Sequence, residues 1–364
     1  MTKTRSRVAA FCDRHGIKAP ILLAPMAGAC PPSLSIAVAQ AGGMGACGAL
    51  LMQSADLAAW AADFRNQSGG PFQVNLWIPD PAPLRDAEHE ARLRAFLSGW
   101  GPAVLPEDGN AVPPDFAAQC EALLDARPAV ASSIMGLYPP AFALRLKARG
   151  IAWFATVTTV AEARTAEAAG ADVVVAQGME AGGHRGCFDA RLAEAQQVGL
   201  FSLLPAVVDA VRIPVVAAGG IADARGVAAA LTLGASAVLV GTGFLRCPEA
   251  KLHPAWSDAL AATAPEGTLV TRVFSGRAGR GIATDYVRDA MSAQAPAPAP
   301  YPVQRGLTAS MRKASQQSGD VQRMQAWAGQ SAALASNRPA GDVLRSLWEG
   351  AQEYLPPAAR REPT

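Results

Sequence analysis

The sequence predicts an α/β fold, a TIM (β/α)8 barrel with an added helical cap, on three observations. Short apolar runs alternate with alanine-rich helical stretches, the pattern of βα units on a parallel sheet. About eight such runs can be counted, the number that closes this barrel. Several show no alternation of apolar and polar residues, so both of their faces are expected to be covered.

The runs are "ILLAPM" from Ile21, "GACGALLM" from Gly45, "FQVNLWI" from Phe72 and "AVASSIM" from Ala129. They continue as "AWFATVT" from Ala152, "DVVVAQG" from Asp172, "IPVVAAGG" from Ile213 and "SAVLVGTGF" from Ser236. The stretches between them, such as "PPAFALRLKARG" and "DARGVAAALTLGA", read as helices, and three end in glycine just before the next strand. Two regions break the rhythm. The excursion from Pro79 to Pro114 is rich in proline and charge, with one helical patch at "LRDAEHEARLRAFL". The last third of the chain carries the tract "AQAPAPAPYPVQ", which cannot be regular helix or sheet, and then "GDVQRMQAWAGQSAALA" and "PAGDVLRSLWEGAQEYL", both read as helices. The expected division is a barrel of residues 15–78 and 113–262, with residues 79–112 and 263–364 forming a cap over the strand ends and a C-terminal extension.

Composition narrows the function. A formal net charge of +2 with no basic stripe gives no footprint for nucleic acid. The 6 cysteines are scattered, without metal-like or Cys-x-x-Cys spacing, and read as reduced thiols. The N-terminus lacks an apolar core of signal-peptide length, and no apolar run is long and glycine-free enough to span a membrane. A cytoplasmic protein is expected.

In such a barrel, function sits at the C-terminal strand ends, and phosphate commonly binds after the seventh and eighth strands. There the chain reads "AAGGIAD", with Gly219 and Gly220, and "VGTGF", with Leu239 and Val240 leading into Gly241 and Thr242. Two glycine clusters on adjacent strand ends let backbone N–H groups approach phosphate oxygens; one alone would suggest no more than a tight turn. The match of "GMGACG" (from Gly43) to a dinucleotide fingerprint is accidental, because those glycines follow a helix and run into a strand. "APM", Ala24, Pro25 and Met26, gives a shelf suited to a planar ring, or a plain strand-to-helix corner. Asn75 ends the third strand and is either a heterocycle contact or a structural amide.

His184 is the sharpest candidate. It follows the sixth strand within "QGMEAGGHRG", and Gly182, Gly183 and Gly186 clear space around it. A neutral imidazole there can take a proton. No hydrolase triad or metal-ligand set accompanies it, so no metal is expected. In "FSGRAGRGI", Arg277 and Arg280 either grip an anion or are two arginines on a solvated loop. Tyr301 is a candidate lid residue.

Together, "APMAG", "VNLW", "QGMEAGGHRG", "PVVAAGGIAD", "VGTGFLRCPEA", "SGRAGRGI" and "WAGQSAALA" resemble the nitronate monooxygenase family, formerly 2-nitropropane dioxygenases, of the class I type, from about Pro20 to about Ala335. The resemblance implies tightly held FMN. It places Ala24, Pro25, Met26, Asn75 and Gln177 along the isoalloxazine, and Gly182, Gly219 and Leu239 to Thr242 around the ribityl phosphate. It also matches His184 to the catalytic histidine. The implied reaction is oxidation of an alkyl nitronate or nitroalkane by molecular oxygen to a carbonyl compound and nitrite, in a soluble enzyme compatible with a homodimer. One departure stands out: where family members often carry a "SFHFG"-like fourth-strand end, this chain reads "SSIMG", which leaves the contribution of Ser133 open. "GGHRG" is shared with flavin reductases of quinones and enoyl thioesters, so NAD(P)H-dependent reduction is the alternative. A flavin-free lyase or isomerase of phosphorylated metabolites is a third reading, and it lacks a strand-end lysine.

Overall fold

The computed structural model describes residues 2–356; residues 357–364, the end of the expected cap segment, lie outside the described residues. Eight parallel strands close the predicted TIM barrel: β1 (Ile21–Leu23), β2 (Gly45–Gly48), β3 (Phe72–Trp77), β4 (Val130–Ile134), β5 (Ala152–Val157), β6 (Val173–Gln177), β8 (Val215–Ala218) and β9 (Ala237–Val240). Their order around the sheet is β1-β9-β8-β6-β5-β4-β3-β2. A parallel bridge from Leu22 to Met44 joins the two ends, with the Leu23 N–H donating to Met44 O at 2.9 Å. The strands lack alternation because side chains fill the barrel on one face and helices cover the other. Val173, Val174 and Ala176 of β6 are all fully buried.

A second, antiparallel sheet contains the remaining strands, in the order β10 (Thr268–Thr271), β11 (Gly279–Ile282) and β7 (Gly183–His184). It ties the loop after β6 to the long C-terminal segment, with His184 paired opposite Gly279. Beside it lies a separate apolar core. Leu93 and Leu97 of helix Ala87–Leu97 pack there with Phe274, Tyr286, Val287, Leu307 and Met311, so the excursion after β3 and the segment after β11 meet.

Two expectations for the C-terminal third are corrected. The stretch "GDVQRMQAWAGQSAALA" is not a helix but two short 3-10 turns flanking extended chain. Its backbone is spent on neighbours: Ile282 N–H donates to Ala326 O (2.9 Å), Ala328 N–H to Arg280 O (3.3 Å) and Gln330 N–H to Glu180 O (2.9 Å). Tertiary pairing overrides the helical propensity of its alanines. Helix Ala340–Tyr354 forms as read, but it packs on helices Ala224–Thr232 and Pro32–Gln40 of the barrel wall, not over the strand ends. Its buried Val343, Leu344 and Leu347 fall on one helical face and join the barrel core.

Candidate active site

At the C-terminal ends of the strands lies a cavity of about 440 Å³, within the range of small-molecule and cofactor sites. Nearly every sequence-predicted position meets there: Ala24, Pro25 and Met26 after β1, Asn75 on β3, Gln177 on β6, Gly182, Gly183 and His184, Gly219 and Gly220 after β8, and Leu239, Gly241 and Thr242. Val240 is buried in the strand and does not line it.

The glycines have distinct jobs. Gly219 and Gly220 hold left-handed conformations, φ 111° and 69°, that a side chain would strain. The backbone N–H groups of Gly219, Gly220 and Gly241 donate to no protein acceptor among the described residues, which leaves donors for an anion. The helix that follows, Ala224–Thr232, is capped by Asp223, whose Oδ1 accepts from Gly226 N–H at 3.0 Å. The free donors that line the cavity are those of the turn, since no residue of that helix reaches it. Gly182 is a close approach of another kind: a Cβ there would fall 2.5 Å from Gly329 N.

Two amides flank this surface. Asn75 donates through Nδ2 to Ser132 O (3.2 Å) and Oγ (3.0 Å), and its Oδ1 accepts from no donor among the described residues. Gln177 is spent on the protein, donating to His184 O (3.1 Å) and accepting from Gly186 N–H (2.8 Å). It fixes the loop that presents His184.

The imidazole of His184 sits between two indoles, with ring centroids 4.7 Å from Trp77 and 4.9 Å from Trp327. Burial, reinforced by the positive charges of Arg277 and Arg305, lowers its pKa to about 3, so the ring is neutral across the physiological range. Its Nε2 lies 2.8 Å from Ser275 Oγ. That hydroxyl also accepts from Arg277 N–H (3.3 Å) and is 3.2 Å from Arg277 O. When Ser275 donates to that carbonyl, Nε2 must carry the proton and Nδ1 keeps its lone pair.

The charged side chains on the cavity lining, Arg305, Arg312 and Lys313, are all cationic. Burial pulls the Arg312 pKa to about 10, which still leaves it protonated at neutral pH. Its guanidinium is held by Arg305 O (2.7 Å), Thr308 Oγ1 (3.2 Å) and Gln325 Oε1 (3.4 Å).

Besides Val240, four expected residues do not reach this cavity. Ser133 is buried, accepting from Trp153 Nε1 at 3.0 Å. Arg277 is neither a surface residue nor an anion grip: it is buried and makes a two-pronged ion pair with Asp80, Nε to Oδ2 at 2.7 Å. Arg280 is buried too, donating to Met179 O (2.8 Å) and Thr268 Oγ1 (3.0 Å). Arg280 on β11 and Arg277 in the turn before it both direct their heads into protein and tie loops together. Tyr301 packs against Trp77 at 5.8 Å and lines an adjoining cavity instead. Cys187 is buried and its thiol pushed up by that burial, so it is no thiolate. Among the described residues, no group of three or more histidine, cysteine or carboxylate side chains could hold a metal.

The model of the nitronate monooxygenase family matches residues 9–350. The chain belongs to that family. A nitronate monooxygenase of Pseudomonas aeruginosa is 38% identical over 350 residues, 93% of this chain and 98% of that protein. One from Paraburkholderia phytofirmans is 35% identical over 339 residues, covering 91% and 92%. Among solved structures, a nitroalkane oxidase from Streptomyces ansochromogenes superposes with a TM-score of 0.86 at 36% identity, covering 95% of this chain and 98% of that one. FabK from Thermotoga maritima gives 0.74 at 29%, covering 94% and 96%. As a nitronate monooxygenase family member, this chain is an oxidoreductase.

Sequence reasoning missed Trp77, Trp327, Ser275 and the cationic trio as site components. Trp77 is the last letter of "VNLW", and Trp327 opens "WAGQSAALA", so both sat inside recognised motifs. Ser275 opens "SGRAGRGI", but only the three-stranded sheet brings it beside His184.

Proposed function

We propose that this family member binds FMN along the cavity and oxidises alkyl nitronates with molecular oxygen to a carbonyl compound and nitrite. The residues fit the cofactor. Unpartnered N–H groups at Gly219, Gly220 and Gly241 suit a phosphate, and the Ala24–Met26 shelf with the free Oδ1 of Asn75 suits a flat ring bearing an N–H. Bound there, FMN would supply the electron transfer between substrate and oxygen that no side chain can perform.

The observation that carries the reading is the pairing of a neutral His184 with a lining whose charged groups are all cationic. An anionic nitronate is drawn to Arg305, Arg312 and Lys313, and when Ser275 Oγ donates to Nε2 instead, the neutral imidazole carries an Nδ1–H that can donate to a nitronate oxygen without the ring bearing charge. The same facts favour nitronate over nitroalkane. A base whose pKa is about 3 is poorly matched to removing an α-proton at neutral pH. His184 therefore orients a substrate that arrives already deprotonated.

Nitrite release from ethyl nitronate under air tests this. Wild-type protein should form nitrite, and His184→Asn should lose activity at least about tenfold. Bleaching of the yellow protein by NADH with no nitrite from any nitronate would replace this reading with the reductase.

A further inference from the structure

A second cavity, of about 560 Å³, adjoins the first, and Leu50 and Trp77 line both. Trp77 meets His184 in a T-shaped contact, and Tyr301 lies beside it in the second cavity. Trp77 is thus the partition between the place where the reacting group sits and a chamber beyond. That chamber offers no free charge. Asp80 is paired with Arg277, and the Arg85 guanidinium with Glu90 and, at 3.0 Å, with Asn110 Oδ1. What remains is mostly ring and methylene surface, from Pro79, Pro81, Pro83, Pro113, Pro114 and Pro302, with the amides of Asn110 and Gln119 and the Tyr301 hydroxyl as the polar exceptions. Prolines hold φ fixed, so such a wall is already ordered before a ligand enters.

We propose that the carbon chain of the substrate passes Trp77 and is received by this proline-walled chamber, so that the preferred substrates carry an extended apolar chain. The inference rests on the reading of the His184 cavity as the seat of a small anion. A charged head is held by the cationic lining of the first cavity, and the only wall shared with the second is apolar, so a molecule with an anionic head and an apolar tail matches both. Trp77 sets where along the chain the crossing occurs and is the specificity-determining residue.

The test uses saturated n-alkyl carboxylates, from acetate to decanoate, titrated calorimetrically into the holoenzyme. Their planar two-oxygen head resembles a nitronate, and they have no carbon–nitrogen bond to oxidise. Once the chain is long enough to pass Trp77, Kd should fall about fourfold per added methylene. Two variants fill the chamber, Ala82→Trp and Ala111→Trp, with thermal melts confirming that each folds. In them the fall should stop while acetate and propionate bind as to wild type. Trp77→Ala should begin the fall at a shorter chain. A Kd that does not fall with length, or long members that bind both filled variants as tightly as wild type, would overturn the proposal. Because nothing is oxidised, this series stands apart from the reaction itself. Nitrite formation beside a flat series removes the chamber alone, and a rising series without nitrite removes the reaction alone.

Discussion

Ser275 Oγ stands 2.8 Å from Nε2 of His184, although 91 positions separate the two in sequence. β7 delivers the histidine and the turn before β11 delivers the serine, and their pairing brings the two together. Ser275→Ala should leave the imidazole unanchored and lower kcat/KM for ethyl nitronate about tenfold, with most of the loss in kcat. Ser275→Thr should restore most of it. Steady-state kinetics on the two variants check this, and an unchanged Ser275→Ala would remove the positioning role.

The depressed pKa of His184 has a consequence for pH dependence. A folded value of about 3, below the ordinary histidine value of 6.5, leaves no protonation of this residue near neutrality. The profile of kcat/KM with preformed nitronate should show no inflection near pH 6.5. With nitroalkane, activity should be far lower and should track the slow release of its α-proton in solution. A bell centred near 6.5 would contradict the assignment.

Gly219 and Gly220 should be intolerant of side chains for cofactor retention. Gly219→Ala strains a φ of 111°, at about 1 kcal/mol, and it moves N–H donors that the phosphate would use. The ratio of visible to ultraviolet absorbance after gel filtration should drop well below that of wild type. Full flavin content in that variant would place the phosphate elsewhere.

Stability should fall in mild acid for a stated reason. His15 is buried against Phe11 (4.5 Å) and Phe154 (5.1 Å), and its pKa is lowered to about 4, chiefly by that burial. The unfolded chain takes up a proton near 6.5 that the folded chain refuses, so the contribution is complete above 6.5 and is lost as pH falls toward 4. At pH 5 the loss is about 2 kcal/mol for this residue. Urea denaturation of wild type and His15→Leu at pH 7.5 and 5.0 should show the variant losing less between the two.

The pair of Arg277 and Asp80 joins the turn before β11 to the loop after β3. Arg277→Met should lower stability by about 2 to 3 kcal/mol, less than for a fully buried pair, because Asp80 is about a quarter exposed. A double variant, Arg277→Met with Asp80→Leu, should recover part of it.

The barrel was readable because its signals are local. Each strand is a run of apolar residues bounded by glycine or proline, and the glycines at 182, 219, 220 and 241 occur where a strand ends. His184 was legible for the same reason. Arg277 and Arg280 were not, since nothing in "SGRAGRGI" says that Asp80, 197 positions away from Arg277, will take one head and Met179 the other. Trp327 lay in an alanine-rich stretch whose helical propensity was overruled by pairing with β11. The cationic wall of Arg305, Arg312 and Lys313 follows a proline tract with no periodicity, so which way those side chains face is settled only by packing.

On the proposed function, this cavity unites a bound flavin with an anionic nitronate. The most direct measurement is the visible spectrum of the purified protein, without air, before and after addition of ethyl nitronate, and again on admitting oxygen. The account predicts a yellow protein whose spectrum changes with nitronate and recovers with oxygen, as nitrite appears. A colourless protein, or a yellow one indifferent to nitronate, would contradict it.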